Sequence, residues 1–570
     1  MKKLLGTIIH KLTIIEPGQL IYILSIIAIT IALTILYGKF KEDEKKLGVW
    51  KMTCFLPVSI TIIHFMFNGL GSMWQIMLVS YFSMYLPSLI PMMWPLFTKS
   101  KRFFIVSAVV INFAVVTMSV SNILSLSPLD NLGDKSYAES FKASLDAMEK
   151  NYVLKEWKEV DFEAIEAELL PMVEQADASG DKIQFLEAMV RMSYEVHDGH
   201  VCVVFPDDET KQAVDERLLG NDYGLSMIGT DSGEIIAVLV DEDIAGIKNG
   251  TIITKWNGVA IADALLEVEC ISTLNSYPVA ANENAVKPLF LAGKGEENIQ
   301  VAYLDESGKE QTIELASKGS YYDRFMKGWK LYFGEPDAEQ GNYATKMLNE
   351  DTGYFVIMGA DYDSNDEQAY LMGEHENSKK MFEVKLKELK EQGAKKLIID
   401  LRNNYGGTDQ VVMPLVSYFA MEDQYGIGLG YNKDGSYKVN ANHNIESNGN
   451  YHQMQVVVLV NGQCMDAGDG LAYHLSKLPN VTVMGITEPN GSNQESGGMC
   501  LLPGGAVLSY PVGLVLDENK EPLVDTKADR LGRNPLDVKI PFDKDAAIKM
   551  FSGEGDYELE YAVEYLKSVE

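Results

Sequence analysis

Two apolar runs rich in branched side chains constrain this chain more than any other feature. One is Lys-Leu-Ile-Ile-Asp-Leu-Arg-Asn-Asn-Tyr-Gly-Gly at 396–407; the other is Val-Val-Val-Leu-Val-Asn-Gly-Gln-Cys-Met-Asp-Ala-Gly-Asp-Gly at 456–470. Each is a β-branched stretch that stops at glycine-containing turn residues and then enters a helical pattern. That pattern describes a buried strand feeding a loop and a helix, and in such sheets sites gather at the carboxyl ends of the strands. The surrounding sequence alternates in the same way. Strands are expected at 353–358, 396–402, 455–460 and 481–486, with helices at 377–392, 410–421 and 467–477. Alternation of this kind predicts a mostly parallel sheet with right-handed crossovers. A β-rich tail at 499–542 closes an α/β core over 318–550, and a helical tail follows at 551–570.

The amino-terminal 126 residues differ in kind. Stretches at 20–37, 52–70, 73–97 and 103–124 are long and apolar, enough for four helices across a hydrocarbon core of ~30 Å. Lys39, Lys41, Lys45, Lys46 and Lys51 lie between the first two, and Lys99, Lys101 and Arg102 between the last two. The positive-inside rule then predicts a multi-pass cell-membrane protein, in contact with the lipid bilayer, whose carboxy-terminal domain is extracytoplasmic. The net charge of -32 excludes nucleic acid as the expected partner, because phosphate binding needs a basic face. Five scattered cysteines with no C-x-x-C pair give no zinc ribbon or disulfide framework, and no metal or cofactor is expected.

Residues 135–205 read as a small helical domain. Phe141, Leu145, Met148 and Tyr152, then Phe185, Met189 and Met192, recur at helical spacing, and the break falls at 178–181. The domain ends in Asp198-Gly199-His200, a turn leading into an apolar strand. Residues 222–317 form a β-rich unit. Its Tyr223-Gly224-Leu225-Ser226 opening, its Ala-Gly-Ile-Lys-Asn-Gly turn at 245–250 and its Trp-Asn-Gly at 256–258 resemble a PDZ domain. That resemblance implies peptide capture by strand addition, with Tyr223, Gly224 and Leu225 at the groove.

The whole order, helices, Asp-Gly-His turn, PDZ-like unit, D-L-R-N-N-x-G-G at 400–407 and V-N-G-x-x-x-x-A-G-D at 460–469, resembles the C-terminal processing (tail-specific) and tricorn-core serine peptidases. The resemblance spans roughly 135–545. It implies acyl transfer from a polypeptide substrate in unfolded or carboxy-terminal segments, with no cofactor. By resemblance, oxyanion donors come from Gly406, Gly407 and Ala467, the base is His200, and Asp529 in Ala-Asp-Arg-Leu-Gly-Arg-Asn-Pro at 528–535 is the orienting acid. The stretch at 485–494, where one branch of the family carries a lysine base, has none.

One position departs from the pattern. Where the family carries its nucleophilic serine, this chain has Asp466. A carboxylate is a poor nucleophile towards an amide, and at ~4 Å it repels an adjacent oxyanion by about 1–4 kcal/mol. Aspartate is also a favoured helix N-cap, which offers a purely structural use at the start of the helix from 467. Two readings follow: a serine-type peptidase, or an inactive relative that binds peptides as a scaffold. Cys464 reads as a buried structural residue, and Ser492 and Ser496 as ordinary loop serines. A metal site built from Asp466, Asp469 and His200 is the weakest alternative, because paired carboxylates are common in a first helical turn.

Overall fold

The computed structural model describes residues 129–569 except 275–276, 335–340, 362–375 and 434–435, and ahead of these residues 32, 35–37, 39–40 and 42–53. The described residues divide into two compact units after Asn131. The first contributes helix α1 (Glu44–Thr53) and strand β1 (Leu129–Asn131).

The expected transmembrane anchor and the membrane location are corrected by this structure. Among the described residues no helix is long and apolar enough to cross a membrane. Helix α1 has 10 residues, about 15 Å of length at 1.5 Å per residue, half of a ~30 Å hydrocarbon core. It also carries Glu44, Lys45, Lys46 and Lys51, whose charges are costly in hydrocarbon. The stretches 20–37, 52–70, 73–97 and 103–124 lie wholly or largely outside the described residues. The fold class that stands is a mixed α/β, peptidase-like one.

The second unit opens with helices α2 (Tyr137–Asn151), α3 (Phe162–Ser179) and α4 (Lys182–Glu195). Local chemistry sets their ends. Ser136 and Glu139 form a reciprocal capping box on α2, and Asp161 and Asp181 accept amide hydrogen bonds at the starts of α3 and α4. Each such cap stabilises by about 1 kcal/mol. Gly180 ends α3 with φ +71°, a conformation that costs glycine nothing. The apolar faces of α2 and α4 meet in one core, with Tyr137 stacked on Phe185 at 4.6 Å between ring centroids.

Strand β2 (Cys202–Val204) and helix α5 (Asp208–Leu219) lead into the β-rich unit. There β3 (Ser226–Gly229) pairs with β4 (Ile235–Val238). A separate sheet orders β6-β5-β7-β8 from β5 (Ile253–Trp256), β6 (Val259–Ala260), β7 (Asn298–Leu304) and β8 (Glu310–Ala316). Helices α6 (Ile261–Glu267) and α7 (Ala280–Leu291) belong to the same unit, and α8 (Tyr322–Phe333) leaves it.

The α/β core is built on β9 (Tyr343–Met347), β10 (Thr352–Ile357), α9 (Glu376–Glu391), β11 (Lys396–Asp400) and α10 (Asp409–Ser417). A long hairpin follows, β12 (Gln424–Lys433) and β13 (Ser436–Ile445), and then β14 (Gln455–Leu459), α11 (Ala467–Ser476) and β15 (Val481–Gly485). Strands β16 (Glu495–Leu501), β17 (Val507–Leu516) and β18 (Val538–Lys539) precede the carboxy-terminal helices α12 (Lys544–Ser552) and α13 (Tyr557–Ser568).

The main sheet has the order β18-β15-β14-β11-β10-β9, parallel throughout except for β9 at the edge. Its strands are buried on both faces. Ile398, Val457 and Met484 enter one core, while Leu397, Ile399, Val456, Val458 and Val483 enter the other. That double burial accounts for the unbroken apolar runs in the sequence. A second, antiparallel sheet joins β16, β17, β12 and β13, and β2 pairs with β17 through Cys202 and Ser509. This pairing carries His200, two residues ahead of β2, to the core.

Candidate active site

The ends of β11 and β14 are tied together before any functional side chain is added. Asn461 Oδ1 accepts from the Asn403 amide at 3.1 Å, and the Met465 amide donates to the Asn404 carbonyl at 3.0 Å. Arg402 fixes the first turn from behind: its guanidinium pairs with Asp400 at 2.6 Å, Asp556 at 2.7 Å and Glu558 at 3.1 Å. Tyr354 donates to the same Asp400 carboxylate at 2.6 Å. The turn therefore rests on the carboxy-terminal helix α13, whose N-cap is Asp556.

Asp466 stands at the elbow between β14 and α11 with φ +54° and ψ -130°, a conformation that is unfavourable for a residue with a side chain. It is the N-cap of α11, yet its side chain makes no capping hydrogen bond. The capping use expected of an aspartate here is not the one the molecule makes. Oδ1 lies 3.2 Å from His200 Nε2, and Oδ2 accepts from the Gly407 amide at 2.7 Å. Gly406 must lack a side chain, because a Cβ there would overlap Asp466. Gly468 and Gly470 are likewise crowded by Asn404 and by Asn493 and Asp409, so the small residues after the elbow let α11 start against the first turn.

His200 is held from its other side. Nδ1 is 2.6 Å from Ser492 Oγ, and Ser492 donates to Asp198 Oδ1 at 3.2 Å. The direct distance from Nδ1 to Asp198 is 3.7 Å, too long for a hydrogen bond, so the serine stands between them. Asp198 also accepts from Tyr152 at 2.6 Å and from the His200 amide at 2.9 Å. The proton inventory follows. Ser492 spends its hydrogen on Asp198, so Nδ1 must donate to Ser492; Nε2 faces a carboxylate, so it too must donate. These contacts favour the imidazolium form of His200. Burial opposes that charge, but the carboxylates of Asp198 and Asp466 outweigh it and raise the pKa well above the ordinary value.

The surroundings are acidic and buried. Burial pushes Asp198 upward too, but His200, Lys158 and Tyr152 overcome it and its pKa is lowered. Burial, reinforced by the charge of Asp466, raises Asp409 to about 7. Burial alone dominates at Asp469, also raised to about 7, and burial with the charge of Asp198 brings Asp525 to about 6. Asp469 turns away from the elbow to the Gly491 amide at 2.6 Å and Asn534 at 2.9 Å. Among the described residues no group of three or more His, Cys, Asp or Glu side chains is arranged to hold a metal ion.

Of the residues singled out from sequence, the structure brings together Asp466, His200, Gly406, Gly407 and Ala467. Gly407 is the donor that meets the Asp466 carboxylate, whereas the Gly406 amide is spent on Asn404 Oδ1 at 2.9 Å. Ala467 opens α11, where a backbone N–H has no acceptor within the helix. Asp529 is not brought in: it is exposed and accepts from the Leu531 amide at 3.1 Å. Tyr223 and Leu225 are fully buried in the β-rich unit, and Gly224 bonds within it, to Asp222 and Asp241. Cys464 is buried, and burial with the nearby carboxylates raises its thiol well above the usual value, which leaves it unreactive.

Two partners of His200 escaped the sequence reading. Asp198 was visible as the first residue of the Asp-Gly-His turn, but an Asp-Gly pair is ordinary turn chemistry. Ser492 lies 292 residues from His200, in a loop whose serines carry no local signal.

The fold and this site define a peptidase-like α/β protein, and comparison with known proteins gives the class a name. The sequence profile of peptidase family S41 matches residues 361–529, so the core from beyond β10 to the tail is similar to the S41 serine peptidases. At that level the expected relation to the C-terminal processing and tricorn-core peptidases holds. No curated protein matches the chain. Among solved structures, mature CPAF is 12% identical, with 74% of this chain and 99% of that chain covered and a TM-score of 0.47. A putative peptidase from Parabacteroides merdae is 16% identical over 76% of this chain and 97% of that chain, with a TM-score of 0.39. The tricorn protease is 14% identical over 76% of this chain and 36% of its own, with a TM-score of 0.34. Likenesses this distant say nothing of substrate or mechanism.

Proposed function

We propose that this chain binds polypeptide segments at an S41-type site that does not hydrolyse them while Asp466 occupies the elbow. One observation carries the reading: the Asp466 carboxylate lies between His200 Nε2 at 3.2 Å and the Gly407 amide at 2.7 Å. It thereby takes both functions that acyl transfer requires. A general base must be free to accept a proton, and His200 already holds two. An oxyanion needs an unoccupied donor, and the Gly407 N–H already serves an anion. The β-rich unit at 222–317, PDZ-like in its sequence, is assigned the task of holding the incoming chain.

The alternative, a working serine-type peptidase, requires a hydroxyl on the Nε2 side of His200. Ser492 is on the Nδ1 side and is fully buried, which argues against it as a nucleophile.

The test treats the full chain, Asp466→Ser and Asp466→Asn with a serine-reactive fluorophosphonate and with an unfolded, carboxymethylated protein. The expected result is no labelling or cleavage by the unaltered chain or by Asp466→Asn, and both activities in Asp466→Ser, with the label at position 466. Labelling of the unaltered chain at one of its own serines, together with cleavage, overturns the proposal.

A further inference from the structure

Tyr405 immediately precedes the two glycines of the first turn and remains 51% exposed. An exposed tyrosine ordinarily samples several rotamers, but this one is fixed at both ends. Its hydroxyl donates to Asp361 Oδ2 at 2.7 Å and accepts from Asn342 Nδ2 at 2.8 Å, while its backbone amide donates to the Met358 carbonyl at 3.0 Å. The ring lies so close to Gly359 that a Cβ there would overlap it. The loop is pinned as well, since Ala360 bonds to Gly406 at 2.6 Å and Thr408 to Ala360 at 3.1 Å. One residue along, Gly406 touches Asp466. A rigid, half-exposed aromatic surface thus adjoins the elbow, and nothing in the acid–base network uses it.

We infer that Tyr405 is a specificity residue, a platform on which a bound polypeptide lays a side chain that stacks, aromatic or arginine, next to the Asp466 position. The inference rests on the polypeptide-binding reading above. Its physical basis is preorganisation. The ring's conformational entropy is already spent within the fold, so stacking gains contact without a further ordering cost. An aromatic partner gains stacking attraction beyond burial, and a guanidinium adds attraction to the ring face. Asp361 and Asp466 flank the platform, so an acidic side chain is repelled there.

The test measures binding of the full chain to short fluorescent peptides that differ in one residue, Phe, Arg, Ala or Asp. The Phe and Arg peptides are expected to bind about 10-fold more tightly than the Ala and Asp peptides. Tyr405→Ala brings the Phe and Arg peptides to the affinity of the Ala peptide, with folding checked by far-UV circular dichroism. Tyr405→Phe, which keeps the ring but loses both hydroxyl hydrogen bonds, keeps only part of the preference. Equal binding of the Phe and Ala peptides, or a preference that survives Tyr405→Ala, overturns the inference. The two proposals separate in the Asp466→Ser background: cleavage with a site preference unmoved by Tyr405→Ala sinks the platform alone. No binding by the unaltered chain and no cleavage by Asp466→Ser sinks both.

Discussion

The two edges of the His200 ring sit in contrasting surroundings. On the Nδ1 edge, Ser492, Asp198 and Tyr152 form a buried relay in which each hydrogen has an acceptor. That is the support a base needs to hold its ring in position. On the Nε2 edge, a single carboxylate stands where the chemistry requires a hydroxyl and an open donor. On the proposed reading, the support of an acyl-transfer site is present while its reactive position carries a carboxylate. A fold tolerates this combination readily: Asp466 satisfies the imidazolium and the Gly407 amide, so the change leaves neither group unpaired.

Experiments on either edge sharpen the contrast, and the largest effect is expected from Asp466→Ser, which by the proposal above converts no turnover into turnover. Next is Asp198→Asn. It removes the buried charge that the His200 relay and Tyr152 depend on, and breaking such a pair costs about 3–5 kcal/mol. Chemical denaturation of the full chain is expected to show that loss, and the imidazole NMR signals of His200 to titrate at lower pH. Unchanged stability with unchanged titration breaks the claim that the Nδ1 edge is the supporting one. Ser492→Ala follows, at about 1–3 kcal/mol for the partner left unsatisfied. Ser492→Thr, which keeps the hydroxyl, is expected to restore the His200 titration; a threonine variant that behaves as the alanine one denies the relay.

The smallest effect is a pH slope. Asp409 and Asp469 have folded pKa values of about 7, above the unfolded carboxylate value, and that of His200 is raised above its own. In all three the folded state binds more protons than the unfolded state, so stability falls as pH rises. His197 and His474, lowered by burial to about 4 and about 3, act in the opposite sense up to the unfolded histidine value of about 6.5, and their contribution fades above it. The melting temperature is therefore expected to drop between about pH 6.5 and 8, and Asp409→Asn to flatten part of that drop. A melting temperature that rises across the window contradicts this picture of the acidic surroundings.

Much of the core was legible in sequence because it depends on local rules. The β-branched runs at 396–400 and 455–459 are strands, and the break at 178–181 is a turn with Gly180 in the left-handed region. The hairpin β12–β13 was not foreseen. Tyr425, Ile427, Leu429 and Tyr431, then Tyr437, Val439 and Ala441, do alternate, but the glycines and asparagines between them are turn residues by type, and β12 is held by pairing with β17 on one side and β13 on the other. The anchor was read from hydropathy over the first 126 residues, and among the described residues no helix meets the length and apolarity that crossing requires. Asp529 was chosen by resemblance of the segment at 528–535 to a family motif, and such a match carries no information on burial; on the Nδ1 side of His200 the carboxylate in the network belongs to Asp198.

Two glycine-bearing turns at the ends of parallel strands, with an aspartate in the second, can be read from the residues alone. Those are consequences of side-chain shape and backbone freedom, which act over a few residues. What the aspartate does depends on contacts made in three dimensions. Pairing of β2 with β17 carries His200 to Asp466, and the loop after β15 slips Ser492 between His200 and Asp198. The charge state of His200 follows from those three contacts, each made across hundreds of residues or across a turn. No local pattern encodes them, because a hydrogen bond depends on distance in space.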